Sequence, residues 1–114
     1  MPTIMRIGGG LNNIIKLAIS MEQYAYNGKY SDIYDSGNTN PKTIGYYLRT
    51  YLPNGGGNTC IQASNDKSSW TNIANNNSNT ITKGVLETSY RYFRIYGVSW
   101  YSGCINSGAL FVIE

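Results

Sequence analysis

Tyr90-Arg91-Tyr92-Phe93-Arg94-Ile95-Tyr96 is the stretch whose reading decides the fold. Aromatic and β-branched residues favour a pleated surface that is at least half covered. As a strand, this run sends Phe93 and Ile95 to one face and Tyr92, Arg94 and Tyr96 to the other. A guanidinium stacked between rings follows for the second face, where Arg94 serves structure rather than a ligand. Ala109-Leu110-Phe111-Val112-Ile113 reads as another well-covered strand. Thr43 to Leu52, ended by Pro53, is a third. In Thr59-Cys60-Ile61-Gln62-Ala63, Ile61 and Ala63 turn inward and Cys60 and Gln62 outward.

Between these runs lie clusters of turn formers, at 36–41, 54–58 and 64–67. Asn75-Asn76-Asn77-Ser78-Asn79 is expected to be an exposed, mobile loop. Asn27-Gly28 signals a tight turn, which makes residues 15–26 and 29–35 a candidate hairpin. Residues 14–26 fit two periods, since Ile15, Leu17, Ile19 and Met21 alternate while Ile14, Leu17, Ala18, Met21 and Ala25 form a helical stripe. With 13 Gly, 11 Tyr and only 13% charged residues, the composition favours strand there and throughout. A chain of 114 residues supports one core. The expected architecture is therefore all-β, an antiparallel jelly-roll-like sandwich over 11–114 with a flexible N-terminal arm and glycine joint over 1–10. In that arm Ile4, Met5 and Ile7 are too apolar to be left in water, and Gly8-Gly9-Gly10 does not tie them rigidly to the next strand. They are expected to bury themselves on another copy or a neighbouring subunit.

Three segments carry a family resemblance. Ile61-Gln62-Ala63-Ser64-Asn65-Asp66, with Trp70 four residues beyond the Asp, resembles the discoidin-type signature of coagulation factor five/eight type C, galactose-binding-like domains. Ser89-Tyr90-Arg91-Tyr92-Phe93-Arg94-Ile95 is similar to a later strand of that family, and Thr43 to Arg49 to the strand before its Ser-Asn-Asp motif. The resemblance covers residues 43–114 and implies a sandwich in which Asn65, Asp66, Trp70, Tyr92 and Arg94 are structural. Asn65-Asp66 suits a tight turn through left-handed backbone, and Trp70 is expected to cover the barrel end as a core residue. Deleting such a residue costs about 3 to 5 kcal/mol. The start of the chain is similar to the first residues of some bacteriophage and prophage tail or surface proteins.

Chemistry-bearing residues are sparse. With no His, no Ser or Cys nucleophile has its usual base, and the six acids are dispersed. No enzyme activity, cofactor or metal is expected. Cys60 and Cys104 are buried thiols or one disulfide. Nine scattered basic residues give a net charge of +3 but no phosphate-tracking cluster, so nucleic acid is not an expected partner. No apolar run reaches the roughly 20 residues that cross a bilayer. The aromatics carry the sharpest functional expectation, because an exposed ring offers a flat apolar face to the C–H groups of a sugar. Trp100 and Tyr101, beside Ser102-Gly103 in a loop, are the candidates unless they pack beneath that loop, and Arg49 is a candidate for sugar hydrogen bonds. These features point to a structural or glycan-binding module of a virion or extracellular surface. The alternative is a truncated type IV pilin headpiece, suggested by Ala18 to Tyr24 followed by Asn27-Gly28-Lys29-Tyr30, and that reading requires a long N-terminal helix.

Overall fold

The computed structural model describes residues 4–7, 11–38, 41–52, 56–100 and 103–114. Ten strands follow one another along these segments: β1 (Ile4–Ile7), β2 (Leu11–Gln23), β3 (Lys29–Tyr30), β4 (Tyr34–Asp35), β5 (Lys42–Tyr51), β6 (Gly57–Ser64), β7 (Thr71–Asn76), β8 (Thr82–Thr88), β9 (Tyr92–Ser99) and β10 (Ile105–Ile113). They form two antiparallel sheets, one ordered β1-β2-β10-β5-β8 and one ordered β3-β9-β6-β7, with β4 also on β9. Phe93 and Ile95 from β9 meet Ile61 and Ala63 from β6 across one inner face. Ile44, Leu48, Leu110 and Met21 close the core from the other sheet. The expected all-β sandwich is what these residues build.

Residues 14–23 are strand, and no helix occurs among the described residues, which removes the pilin alternative. The doubled periodicity has a physical cause. β10 pairs Phe111 with Leu17 but Leu110 with Ile19, so a bulge at Ala18 shifts the alternation. Ile15 and Leu17 therefore lie on the outer face beside Ile113 and Phe111, whereas Ile19 and Met21 enter the core.

The Asn27-Gly28 turn forms, with φ of 65° and 93°, but it does not close a hairpin. β2 pairs with β10, whereas β3 pairs with β9 through Lys29↔Gly97 and Tyr30↔Tyr96, so the chain crosses between sheets at this turn. The asparagine run also departs from expectation. Asn75 and Asn76 belong to β7, and Asn76 is buried, donating to Thr80 O at 2.8 Å and Thr82 Oγ1 at 2.9 Å. At the N-terminus β1 pairs back onto its own chain, from Ile4↔Ile14 to Ile7↔Leu11, rather than standing as a single free strand. Gly8-Gly9-Gly10 lies outside the described residues.

The link from β6 to β7 is built by side chains capping backbone. Ser64 Oγ accepts from the N–H groups of Asp66 and Lys67 at 3.1 and 2.9 Å, and Asp66 Oδ1 accepts from those of Ser68 and Ser69 at 2.8 Å. The left-handed residue is Lys67, with φ of 64°, not Asn65 or Asp66. Cys60 and Cys104 are both buried and unbridged. Burial pushes the Cys60 thiol up to about 11, so it stays protonated and unreactive at neutral pH. Alkylation at pH 8 should therefore leave Cys60 unlabelled in the native protein and label both thiols after denaturation. Finding no thiol without reductant would mean a bridge and contradict this arrangement.

Candidate functional site

At one end of the sandwich, where β2 and β9 finish and β6 begins, the rings of Tyr24, Tyr26 and Trp100 reach solvent. Ala25 anchors the segment after β2: it is fully buried, and its carbonyl accepts from Ser99 N at 3.0 Å and Gly28 N at 2.9 Å. With Ala25 turned inward, its neighbours Tyr24 and Tyr26 turn out, 41% and 48% exposed, their ring centroids 6.0 Å apart. Tyr26 is bridged to Ser99 in parallel sense, which brings it beside the start of the next loop. There Trp100 follows, 59% exposed, with its N–H donating to Gly56 O at 3.1 Å. Its ring lies across Gly56, where a Cβ would stand 2.4 Å from Cε3. Only glycine leaves that space. Partial desolvation, then the Tyr26 phenol and the Cys104 thiol, hold Tyr24 above the ordinary tyrosine value, so its hydroxyl stays a neutral donor and acceptor.

A buried polar network fixes this end. Asn106 on β10 is fully enclosed; its Nδ2 donates to Asn58 O and Thr59 Oγ1 at 2.9 Å, and its Oδ1 accepts from Ser99 Oγ at 2.7 Å. Thr59 and Thr50 hydroxyls lie 2.9 Å apart, and Thr50 Oγ1 donates to Asn76 O at 2.9 Å. Among the described residues no buried side-chain nitrogen or oxygen lacks a partner. A satisfied network in low dielectric is rigid, and this one spans β5, β6, β9 and β10 and includes Ser99, which is bridged to Tyr26 and precedes Trp100. Gly97 gives it room, since a Cβ there would lie 2.7 Å from Asn106 Cβ.

The other sequence candidates lie elsewhere. Arg49, on β5, has its guanidinium committed to Asn79, with Nε and Nη2 donating to Oδ1 at 2.9 and 2.7 Å, so it does not join the exposed rings. Tyr101 lies outside the described residues. Tyr24 and Tyr26 carry no local signal of a site, because the parallel contact with Ser99 that gathers them is distant in sequence.

On the outer face of the second sheet, the Arg94 guanidinium sits 3.9 Å from the Tyr30 ring centroid and 4.0 Å from that of Trp70. Tyr96 packs on Tyr30 at 4.8 Å, and Arg94 Nε donates to Gln62 Oε1 at 2.8 Å. In this ladder Arg94 and Tyr96 both pack on the Tyr30 ring, which is still 54% exposed. Trp70 is thus a half-buried partner of Arg94 rather than a core residue. Its replacement by Ala should cost about 1 to 2 kcal/mol, the worth of a stacked cation and ring contact, not the cost of a cavity. Thermal melting checks this, and a loss above about 3 kcal/mol would return Trp70 to the core. Nearby, Arg91 grips Asp35 through Nε at 2.8 Å and Nη2 at 3.0 Å and donates to Asn38 Oδ1 at 3.1 Å. These bonds, with that from Gly37 N, hold the Asp35 carboxyl down at about 2. Asp35 is therefore spent on an ion pair with Arg91, and the Asn38 amide oxygen on a hydrogen bond from the same guanidinium.

No family model matches the chain, and no curated protein matches it. Among solved structures, the PBSX exported protein XepA is similar in fold, with 15% identity over 89% of this chain and a TM-score of 0.52. This chain spans 37% of that protein's length. A Yersinia pseudotuberculosis-derived mitogen has 10% identity, 90% and 85% coverage and a TM-score of 0.43. TmCBM61, solved in complex with β-1,4-galactotriose, has 7% identity, 90% and 68% coverage and a TM-score of 0.42.

Proposed function

We propose that this chain is a non-enzymatic binding module that recognises carbohydrate through Tyr24, Tyr26 and Trp100, displayed on a virion or extracellular surface. One observation carries the reading: the Tyr24 and Tyr26 rings, 6.0 Å apart, and the ring of Trp100, which follows the Ser99 that bridges to Tyr26, are each more than two fifths exposed at one end of the sandwich. Exposed aromatic surface is costly to keep in water and is retained where a ligand covers it. A pyranose has an apolar C–H face that matches a ring, and hydroxyls that phenols and backbone groups can bond. The discoidin-type, galactose-binding-like resemblance of residues 43–114 agrees with a binding role. Likeness in fold to a protein titled as exported agrees with action outside the cell.

A single small site of this kind binds weakly, so several copies displayed together would supply the avidity. The test is a glycan array probed with the protein presented multivalently. Binding to a defined sugar class, weakened by Tyr24→Ala or Tyr26→Ala with the melting temperature unchanged, is the expected result. A parent protein that binds nothing on the array contradicts the proposal.

A further inference from the structure

β8 closes one side of the first sheet. It pairs with β5 over seven positions, from Lys42↔Thr88 to Leu48↔Thr82, without a register shift. Its other edge has no ladder partner among the described residues. An open edge presents a row of free backbone donors and acceptors, and proteins ordinarily blunt it with bulges, prolines, short strands or unmatched charge. The second sheet does so: β7 is bulged against β6, and β3 and β4 are two residues each. β8 is long and regular, with no proline.

Its sequence is also self-complementary about its centre. Thr82-Lys83-Gly84-Val85-Leu86-Glu87-Thr88, laid antiparallel on a copy of itself with Val85 opposite Val85, sets Lys83 against Glu87, Thr82 against Thr88 and the bare Gly84 against Leu86. Lys83, Val85 and Glu87 share the exposed outer face, so two opposite-charge pairs flank an apolar contact. A slip of two residues in either direction sets a charge against Val85. The same face carries an apolar row from strand to strand, Leu17, Phe111, Gly45 and Val85, with Leu17 59% and Val85 61% exposed. Pairing at Val85 continues that row from one molecule into the next.

We propose that the partner of β8 is a second copy of this chain, the two β8 strands pairing antiparallel about a two-fold axis at Val85 and joining two five-stranded sheets into one. Such an interface is isologous and closes on itself, giving a dimer rather than a filament.

Light scattering on the full chain tests it. The parent should show an even multiple of 12.6 kDa. Lys83→Glu and Glu87→Lys each place like charges across both seam pairs and should halve that mass. The double variant K83E/E87K, and an equimolar mixture of the two single variants, restore both pairs and should recover it. As a measurement independent of charge, Val85→Cys should cross-link intermolecularly under mild oxidation, while the comparably exposed Leu17→Cys should not. A monomeric parent at about 100 μM, single variants of unchanged mass, or equal cross-linking at both positions would each overturn the proposal.

Discussion

Asn106→Ala is expected to destabilise the protein by about 3 kcal/mol or more, lowering the melting temperature by roughly 10 to 20 °C for a domain of this size. The amide is the head of a directed chain: Nδ2 donates to Thr59 Oγ1, that hydroxyl lies within bonding distance of Thr50 Oγ1, and Thr50 donates to Asn76 O. Removing it leaves the buried Ser99 hydroxyl without its acceptor and withdraws the donors from the buried Thr59 Oγ1 and the partly buried Asn58 O. Each stranded buried group costs about 1 to 3 kcal/mol, and a cavity adds to that. The damage should be local at first, loosening the end that carries Tyr24, Tyr26 and Trp100, so hydrogen exchange at Ser99 should accelerate more than at Ile61. Chemical denaturation gives the magnitude. A loss under about 1 kcal/mol would mean that the network does not hold this end.

Trp100→Ala is expected to leave stability within about 0.5 kcal/mol of the parent, because the ring is mostly in water. Its effect should fall on binding. An anchoring aromatic typically carries about 2 kcal/mol, a loss of about thirtyfold in affinity. Gly56→Ala separates position from presence: its Cβ would collide with the ring, so Trp100 must move although it is still there. Both variants should therefore lose binding while melting near the parent, and calorimetric titration with the sugar selected on the array measures it. Full affinity in Gly56→Ala would show that the ring's placement is irrelevant.

Much of this architecture is written in local alternation, and the rest escapes the sequence for identifiable causes. Phe93 and Ile95 against Tyr92, Arg94 and Tyr96 mark both the inner and the outer face of β9, and the guanidinium between rings follows, although its partners are Tyr30 and Trp70 from outside that strand. β2 resists because a bulge moves Ile15 and Leu17 to one face and Ile19 and Met21 to the other, so no single period describes it. β7 and β8 lack a strand signal, since Asn72, Asn75, Asn76, Lys83 and Glu87 are poor strand formers held there by pairing with β6 and β5. The aromatic end is half legible. Trp100 stands out as a loop tryptophan, whereas Tyr24 and Tyr26 belong to it only through a crossing between sheets that the Asn27-Gly28 turn disguises as a hairpin.

The chain has two tryptophans, and they make the most direct test possible with one spectrum. Trp70 Nε1 donates to Lys67 O at 3.3 Å within the Arg94 ladder, and Trp100 sits at the exposed end. Titrating the ¹⁵N-labelled protein with the array-selected oligosaccharide should shift the Trp100 indole resonance and the amides of Tyr24 and Tyr26, while the Trp70 indole stays in place. A shift at Trp70 with Trp100 unmoved would contradict the account and move any sugar site to the outer face of the second sheet.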